Sequence, residues 1–419
     1  MNRKLSANTI YMTIRGGMAV LFTMMGFISA IYRVQTAGLD PLQLVLVGTA
    51  LELSVFVFEI PTGVVADVIS RRLSVIIGYA FIGLGFIVEG LFPIFGAILL
   101  AQVIWGMGYT FTSGAEDAWL ADEIGEERLT QTYLRASQMG RVGSLAGILI
   151  SVGLGSVQLA LPMLMSGIGI VALALFLALF MPETGFSPTP REERTRWQNM
   201  TDTFRDGARL VRGRRMLLLI LGVSLFFGLS SEPLDRLWEA HLLENFAFPQ
   251  WDGLQQPVHW FGLMSVTTLL VGIGVTEVIR RRVPAERLDV TIAAQLVVNA
   301  LVATAVVVFA LSNRFGVAAV AIMGAQVFRG ASHPLYMAWV NRQIETRVRA
   351  TVLSMEGQLN AIGQVAGGPI LGALATAISI PAAMLGVSIL MLPALALYGV
   401  AWRWTRQDMA IAPGEAAPL

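Results

Sequence analysis

The chain reads as an all-α membrane protein: twelve transmembrane helices forming two pseudo-symmetric six-helix bundles. Three observations lead there. Hydrophobic residues make up 55% of the 419 and charged ones only 14%, against about 25% charged in soluble domains, and the mean hydropathy is +0.67. Long apolar runs recur along the whole chain. Short stretches of the second half repeat, in order, those of the first.

A hydrocarbon core about 30 Å thick takes roughly 20 apolar residues as helix, and only helices or closed barrels satisfy their backbone inside it. The runs are too long for barrel strands. They place spans at 12–33, 42–65, 73–92, 95–118, 136–157, 162–181, 215–240, 258–279, 288–311, 316–339, 351–377 and 381–402. Interruptions make the fifth and eleventh the least regular. The first run lacks a small-residue cleavage site and reads as an uncleaved span.

Basic residues set the orientation. With both termini in the cytoplasm, most of the 29 fall inside: Arg3 and Lys4, Arg71 and Arg72, Arg128, Arg135 and Arg141, the run between Arg191 and Arg215, Arg280, Arg281, Arg282 and Arg287, then Arg342, Arg347, Arg349, Arg403 and Arg406. Arg33 and Arg314 fall outside. Trp238, Trp251 and Trp260 gather around the loop between spans 7 and 8, as an interfacial aromatic belt would. The expected location is the bacterial inner membrane.

Residues 182–214 form the longest connection, rich in proline and arginine, with a short surface helix expected over 199–210. This divides the chain into a first bundle (1–184), a cytoplasmic linker (185–214) and a second bundle with a short tail (215–419). AQVIWG (101–106) in span 4 matches AQVFRG (325–330) in span 10, and each leads to an Ala-Trp pair, Ala118-Trp119 and Ala338-Trp339. The Ala-Trp spacing differs by four residues, about one helical turn. Arg135-Ala-Ser matches Arg349-Ala-Thr, and Asp67-Val-Ile-Ser-Arg71-Arg72 matches Glu277-Val-Ile-Arg-Arg281-Arg282. One duplication accounts for all four. Parallel six-helix repeats are the architecture of major facilitator transporters.

The segment GVVADVISRR (63–72) carries a family resemblance: Gly63, an acid four residues on at Asp67, then Arg71 and Arg72. With the VFEIPTG run before it and Met181-Pro-Glu-Thr184 closing span 6, the chain resembles the major facilitator superfamily. Within that superfamily it resembles the drug–proton antiporter branch. The glycine usual after the acid is missing, with Ile69 and Ser70 in that region. The resemblance implies that Asp67 caps and pairs with the start of helix 11, as a gate. It also implies that Arg71 or Arg72 bridges to acids at the inner end of helix 4, where Glu116, Asp117 and Asp122 are available; Glu59, Glu277 and Arg281 belong to the same gating set. Helix 5 has Gly140, Gly143 and Gly147 but not the proline expected of antiporters, and GQVAGGPILG (363–372) sits in helix 11. Both glycine runs read as close helix packing.

Ionisable groups inside a membrane default to functional candidates. The resemblance places helices 1, 4, 7 and 10 around the transport cavity. On helix 7, Glu232, Asp235, Arg236 and Glu239 share one face by their i, i+3, i+4, i+7 spacing, and Pro233 loosens the helix there. Helix 10 carries Gln326, Arg329 and His333. Arg329 needs a partner at that depth, and Glu232 or Asp235 can supply it; equally, Arg236 can satisfy Glu232 in a fixed pair. Glu52 is a candidate proton carrier. Gln102, the counterpart of Gln326, can contact substrate, whereas Gln295 and Asn299 either do so or bind helices together. Arg15 reads as snorkelling to headgroups.

The chain has no cysteine and no metal-ligand cluster, so neither a metal nor another cofactor is expected. It has no nucleophile–base pair that would make it an enzyme, and nothing points to nucleic acid. Without a phosphate-cradling Gly-Lys-Ser/Thr loop, energy must come from a gradient, with the proton as default ion. The expectation is therefore an alternating-access transporter, proton-coupled and exporting a small apolar or amphipathic drug-like compound. The alternative is uptake or facilitated movement of a polar, anionic or lipid-like metabolite. A monomer suffices for either.

Overall fold

The computed structural model describes residues 4–187, 213–284, 287–344 and 349–411. Arg3, Arg347, most of the 185–214 linker and the expected helix over 199–210 lie outside the described residues. The described chain is all-helical, with no strand beyond an isolated bridge between Trp251 and Leu254. The helices are α1 (Ala7–Gln35), α2 (Pro41–Val68), α3 (Arg71–Leu91), α4 (Phe95–Thr112), α5 (Ala115–Ile124), α6 (Glu126–Val157) and α7 (Ala160–Phe180). They continue as α8 (Arg215–Asn245), α9 (Pro257–Arg282), α10 (Leu288–Leu311), α11 (Phe315–Gln343), α12 (Arg349–Ala377) and α13 (Ile380–Ile411).

With α4 and α5 counted as one span, these make twelve crossings. Eleven are long and apolar enough to cross a membrane by length and composition; the remaining one, α12, has 29 residues but no stretch of matching hydropathy. Local signals explain the ends. Ser6 caps α1 through the Thr9 amide, Asp40 and Gln43 form a capping box ahead of Pro41 on α2, and Ser70 caps α3 through the Leu73 amide at 2.9 Å. Such side-chain acceptors satisfy amides that a helix start leaves unpaired.

Two boundaries differ from expectation. The fourth span breaks at Ser113 and Gly114, where Gly114 takes φ +72°, a left-handed conformation that glycine adopts without steric cost. The Ala-Trp spacing differs between the halves by the same four residues, and the break accounts for it: Trp119 lies beyond it on α5, whereas Trp339 lies on the unbroken α11. Both indoles are fully buried. The fifth span starts at Glu126 and runs 32 residues as one helix.

The chain divides into two compact units, Met1–Arg196 with Phe248–Leu263, and Trp197–Ala247 with Met264–Leu419. In the first unit α6 lies against α1, because a Cβ on Gly147 would stand 2.6 Å from the Val20 carbonyl and one on Gly143 3.1 Å from that of Gly16. In the second unit α12 lies against α8 in the same way. A Cβ on Gly363 would stand 2.5 Å from the Leu225 carbonyl, and one on Gly367 would overlap that of Leu229. The glycine runs therefore act in backbone approach. They join corresponding helices in each half, first with fifth and seventh with eleventh.

Candidate functional site

Within the second unit, α8, α10, α11, α12 and α13 enclose a cavity of about 530 Å³. It falls in the size range of small-molecule sites. Val223, Ser224 and Phe227 of α8 line it, with Gln326, Arg329, Gly330, Ser332, His333, Tyr336 and Met337 of α11. Glu356, Gly357 and Asn360 of α12 face them, and Gln295 of α10 and Tyr398 of α13 complete the wall. Most of these side chains can hydrogen-bond, while Val223, Phe227 and Met337 supply apolar surface.

The wall is tied together by polar contacts. Glu356 Oε1 accepts from the Ser224 hydroxyl at 2.7 Å and from the Tyr336 hydroxyl at 3.2 Å. Ser224 Oγ also lies 3.0 Å from the Glu356 main-chain oxygen. Asn360 donates to the Ser224 carbonyl at 3.3 Å and accepts from Gln364 at 2.6 Å. Gln295 donates to the Tyr398 hydroxyl at 3.1 Å, and Asn299 to the Gln295 carbonyl and Ser332. Gln295 thus both binds helices together and reaches the cavity, while Asn299 serves the packing.

At the cavity wall Arg329 grips Asp235 with both terminal nitrogens, one of the two contacts being 2.8 Å. Arg236 holds Glu232, itself 3% exposed, through Nε at 2.8 Å. Two guanidiniums and two carboxylates therefore compensate one another on α8 and α11, each in a charge-assisted pair. His333 is exposed at the lining, and Gln326 sits about one turn from Arg329 without a hydrogen bond to another described residue.

Other expected residues lie elsewhere. Gln102 is fully buried in the first unit and donates to Glu89 Oε2 at 2.7 Å; Arg33 Nε binds the other oxygen at 2.7 Å. Arg33 and Glu89 are only 3% and 1% exposed, so Arg33 occupies the protein interior and not an aqueous loop. Glu52 is half-buried and Glu59 exposed, both on α2 with Gly63.

The residues expected to form a gate are placed as follows. Asp67 lies one residue before the end of α2. Arg71 pairs with Asp122 and donates to the Ala118 carbonyl at 3.0 Å, tying the start of α3 to α5. Arg72 donates to the Ala178 carbonyl at 2.5 Å, and Glu183 accepts from the Ser70 hydroxyl at 2.7 Å and the Arg72 amide at 2.9 Å. Ser70 thus serves as cap and anchor where the family motif has glycine, and the turn needs no positive φ. Glu116, buried on α5, accepts from Tyr79 at 2.5 Å and lies 3.9 Å from Arg15; Asp117 accepts from Tyr11 at 3.3 Å. In the second half Glu277 holds Arg280 and Arg281 on its own helix, at 2.7 and 2.6 Å.

Sequence reasoning passes over Glu356, Ser224, Tyr336 and Tyr398 at the cavity, and Glu89 in the first unit. An acid inside each of two apolar spans was the available signal for Glu356 and Glu89.

A polytopic helical protein with a half-open cavity of mixed polar and apolar lining in one six-helix unit has the build of a secondary transporter. The chain belongs to the major facilitator superfamily, whose family model matches residues 10–352. It is 23% identical over 381 residues to YxaM of Bacillus subtilis (strain 168), described as an uncharacterized MFS-type transporter, covering 89% of this chain and 90% of that one. Solved structures share the fold. The nucleoside transporter NupG superposes with a TM-score of 0.71 at 14% identity, covering 96% of this chain and 99% of that one. A bacterial homolog of the human lysosomal transporter Spinster, inward-facing and unoccupied, gives 0.71 at 15%, covering 96% and 97%. A POT family transporter in complex with a thioalcohol-conjugated peptide gives 0.70 at 13%, covering 96% of each. The protein is thus a multi-pass membrane transporter of small molecules, working by alternating access.

Proposed function

We propose that this chain couples proton movement to the transport of a small organic solute that offers hydrogen bonds, polar or amphipathic in character, bound in the cavity of the second unit. The carrying observation is the composition of that wall: Gln295, Gln326, His333, Tyr336, Asn360 and Tyr398 present donors and acceptors around about 530 Å³. A wholly apolar compound would leave Gln326 and His333, whose side chains hydrogen-bond to no other described residue, without partners, at a cost of about 1–3 kcal/mol for each one it desolvates. Phe227 and Met337 accept an apolar portion of the cargo. Fold neighbours named for nucleosides and peptides carry polar cargo, in keeping with this reading.

Export is the direction we infer from the resemblance to drug–proton antiporters, with both termini in the cytoplasm of a bacterial inner-membrane protein acting as a monomer. The loop around Asp67, Arg71 and Arg72 serves as its gate. Uptake of an anionic metabolite is the second reading, favoured by Arg329 at the cavity wall.

The test is a thermal-shift screen of the purified chain against nucleosides, peptides, organic acids, sugars, lipophilic cations and lipids at two pH values. Each stabilising compound is then followed in proteoliposomes under an imposed pH gradient. A hydrogen-bonding solute should stabilise the protein and move with the gradient. Stabilisation by apolar compounds alone, or transport indifferent to the gradient, would sink the proposal; stabilisation confined to organic acids would select the second reading.

A further inference from the structure

The geometry assigns the cavity's exchangeable proton to Glu356 of α12, an inference that rests on the proton-coupled reading above. A carboxyl that loads and unloads a proton must be satisfied in both states. Ser224 meets that demand, because its single hydroxyl lies 2.7 Å from Glu356 Oε1 and 3.0 Å from the Glu356 main-chain oxygen. With the carboxylate ionised, the serine hydrogen points to Oε1. With the acid protonated, its O–H donates to Ser224 Oγ and the serine hydrogen turns to the main-chain oxygen. A hydroxyl has one donor and two acceptor sites, so neither state strands a polar group. The Tyr336 hydroxyl, 3.2 Å from the same oxygen, has the same dual character.

The neighbouring acids are built differently. Asp235 and Glu232 each sit in an ion pair, with Arg329 and Arg236, so protonating either gives up a charge-assisted contact. Among the described residues no cationic side chain is ion-paired with Glu356. The ionisable groups that share its cavity are Arg329, His333 and Tyr336 of α11 and Tyr398 of α13; α8 and α10 contribute only neutral lining groups, among them Ser224 and Gln295. The close α8–α12 approach at Gly363 and Gly367 brings Glu356 against Ser224.

Infrared difference spectroscopy of the purified full chain reads the proton directly and needs no cargo. The wild type is titrated from about pH 5 to about pH 9, above the ordinary carboxylate range, so that solvated acids stay ionised. Of the protonated carboxylic-acid carbonyl bands that appear on the acid side, one should be lost in Glu356→Gln and persist in Glu232→Gln and in Glu116→Gln, Glu116 being a buried acid of the first unit. In Ser224→Ala it should remain but shift in position and in the pH at which it appears. Glutamine fits the same hydroxyl partners, and an unchanged melting temperature would show that the variant folds. No titrating band in the wild type, or the same band in Glu356→Gln, would overturn the assignment. Because this signal does not depend on transport, it can fail while gradient-driven movement stands, and the transport assay can fail while the band stands.

Discussion

At the scale of single residues, what matters is whether a buried charge keeps its partner. Arg33 and Glu89 are almost wholly enclosed, with Gln102 closing the other carboxylate oxygen. Removing one member of such a pair typically costs about 3–5 kcal/mol, because the other stays behind uncompensated. Glu89→Leu is therefore expected to lower the melting temperature more than loss of any exposed acid. Glu277→Ala should leave it unchanged, since Glu277 and its arginines are solvated and gain little from pairing. Equal melting of the two variants would show that the Arg33 pair is not the anchor its burial implies. The helix-7 face is legible because i, i+3, i+4 spacing gathers its charges on one stripe, and Arg329 because a charge inside a span demands a partner. Glu89 and Glu356 stand out only as single acids within spans, with nothing nearby in the sequence to name their partners. Their partners Arg33 and Ser224 lie 56 and 132 residues away in sequence, where local periodicity says nothing.

At the scale of helices, the period and length of apolar runs are enough to place twelve spans, because a bilayer leaves so few alternatives for the backbone. The ends are less legible, since they depend on individual side chains. Gly114 permits a break inside the fourth span, and Ser70 replaces an expected glycine by capping α3 and binding Glu183. Glycine spacing shows that helices can approach but not which glycines touch. On α6, Gly147 meets the Val20 backbone and Gly140 meets nothing within 4 Å. Gly147→Ala should force α1 and α6 apart, at an overpacking cost of about 1–3 kcal/mol. Gly140→Ala should be neutral, or stabilising by up to about 1 kcal/mol through helix propensity. Thermal melting of the two single variants separates these outcomes, and similar destabilisation in both would refute the assigned contact.

At the scale of the whole molecule, the proposed function assigns binding and gating to different parts, so the two should be separable by mutation. The cavity lies wholly within the second unit. The Arg71–Asp122 pair joins α3 to α5 in the first unit and touches none of the residues lining it. A solute present at 100 times its dissociation constant stabilises the folded state by about 2.7 kcal/mol, and a tenfold weaker site loses about half of that. Gln326→Leu removes a cavity amide that holds no helix in place, so it should melt like wild type alone but lose about half the solute-induced shift. Arg71→Ala should keep the full shift and lower the maximal transport rate in proteoliposomes, because it loosens the end of the bundle without altering the site. If Arg71→Ala instead weakens solute binding as Gln326→Leu does, the two functions are not separable in this chain. The gating role of the loop after α2 would then have to be abandoned.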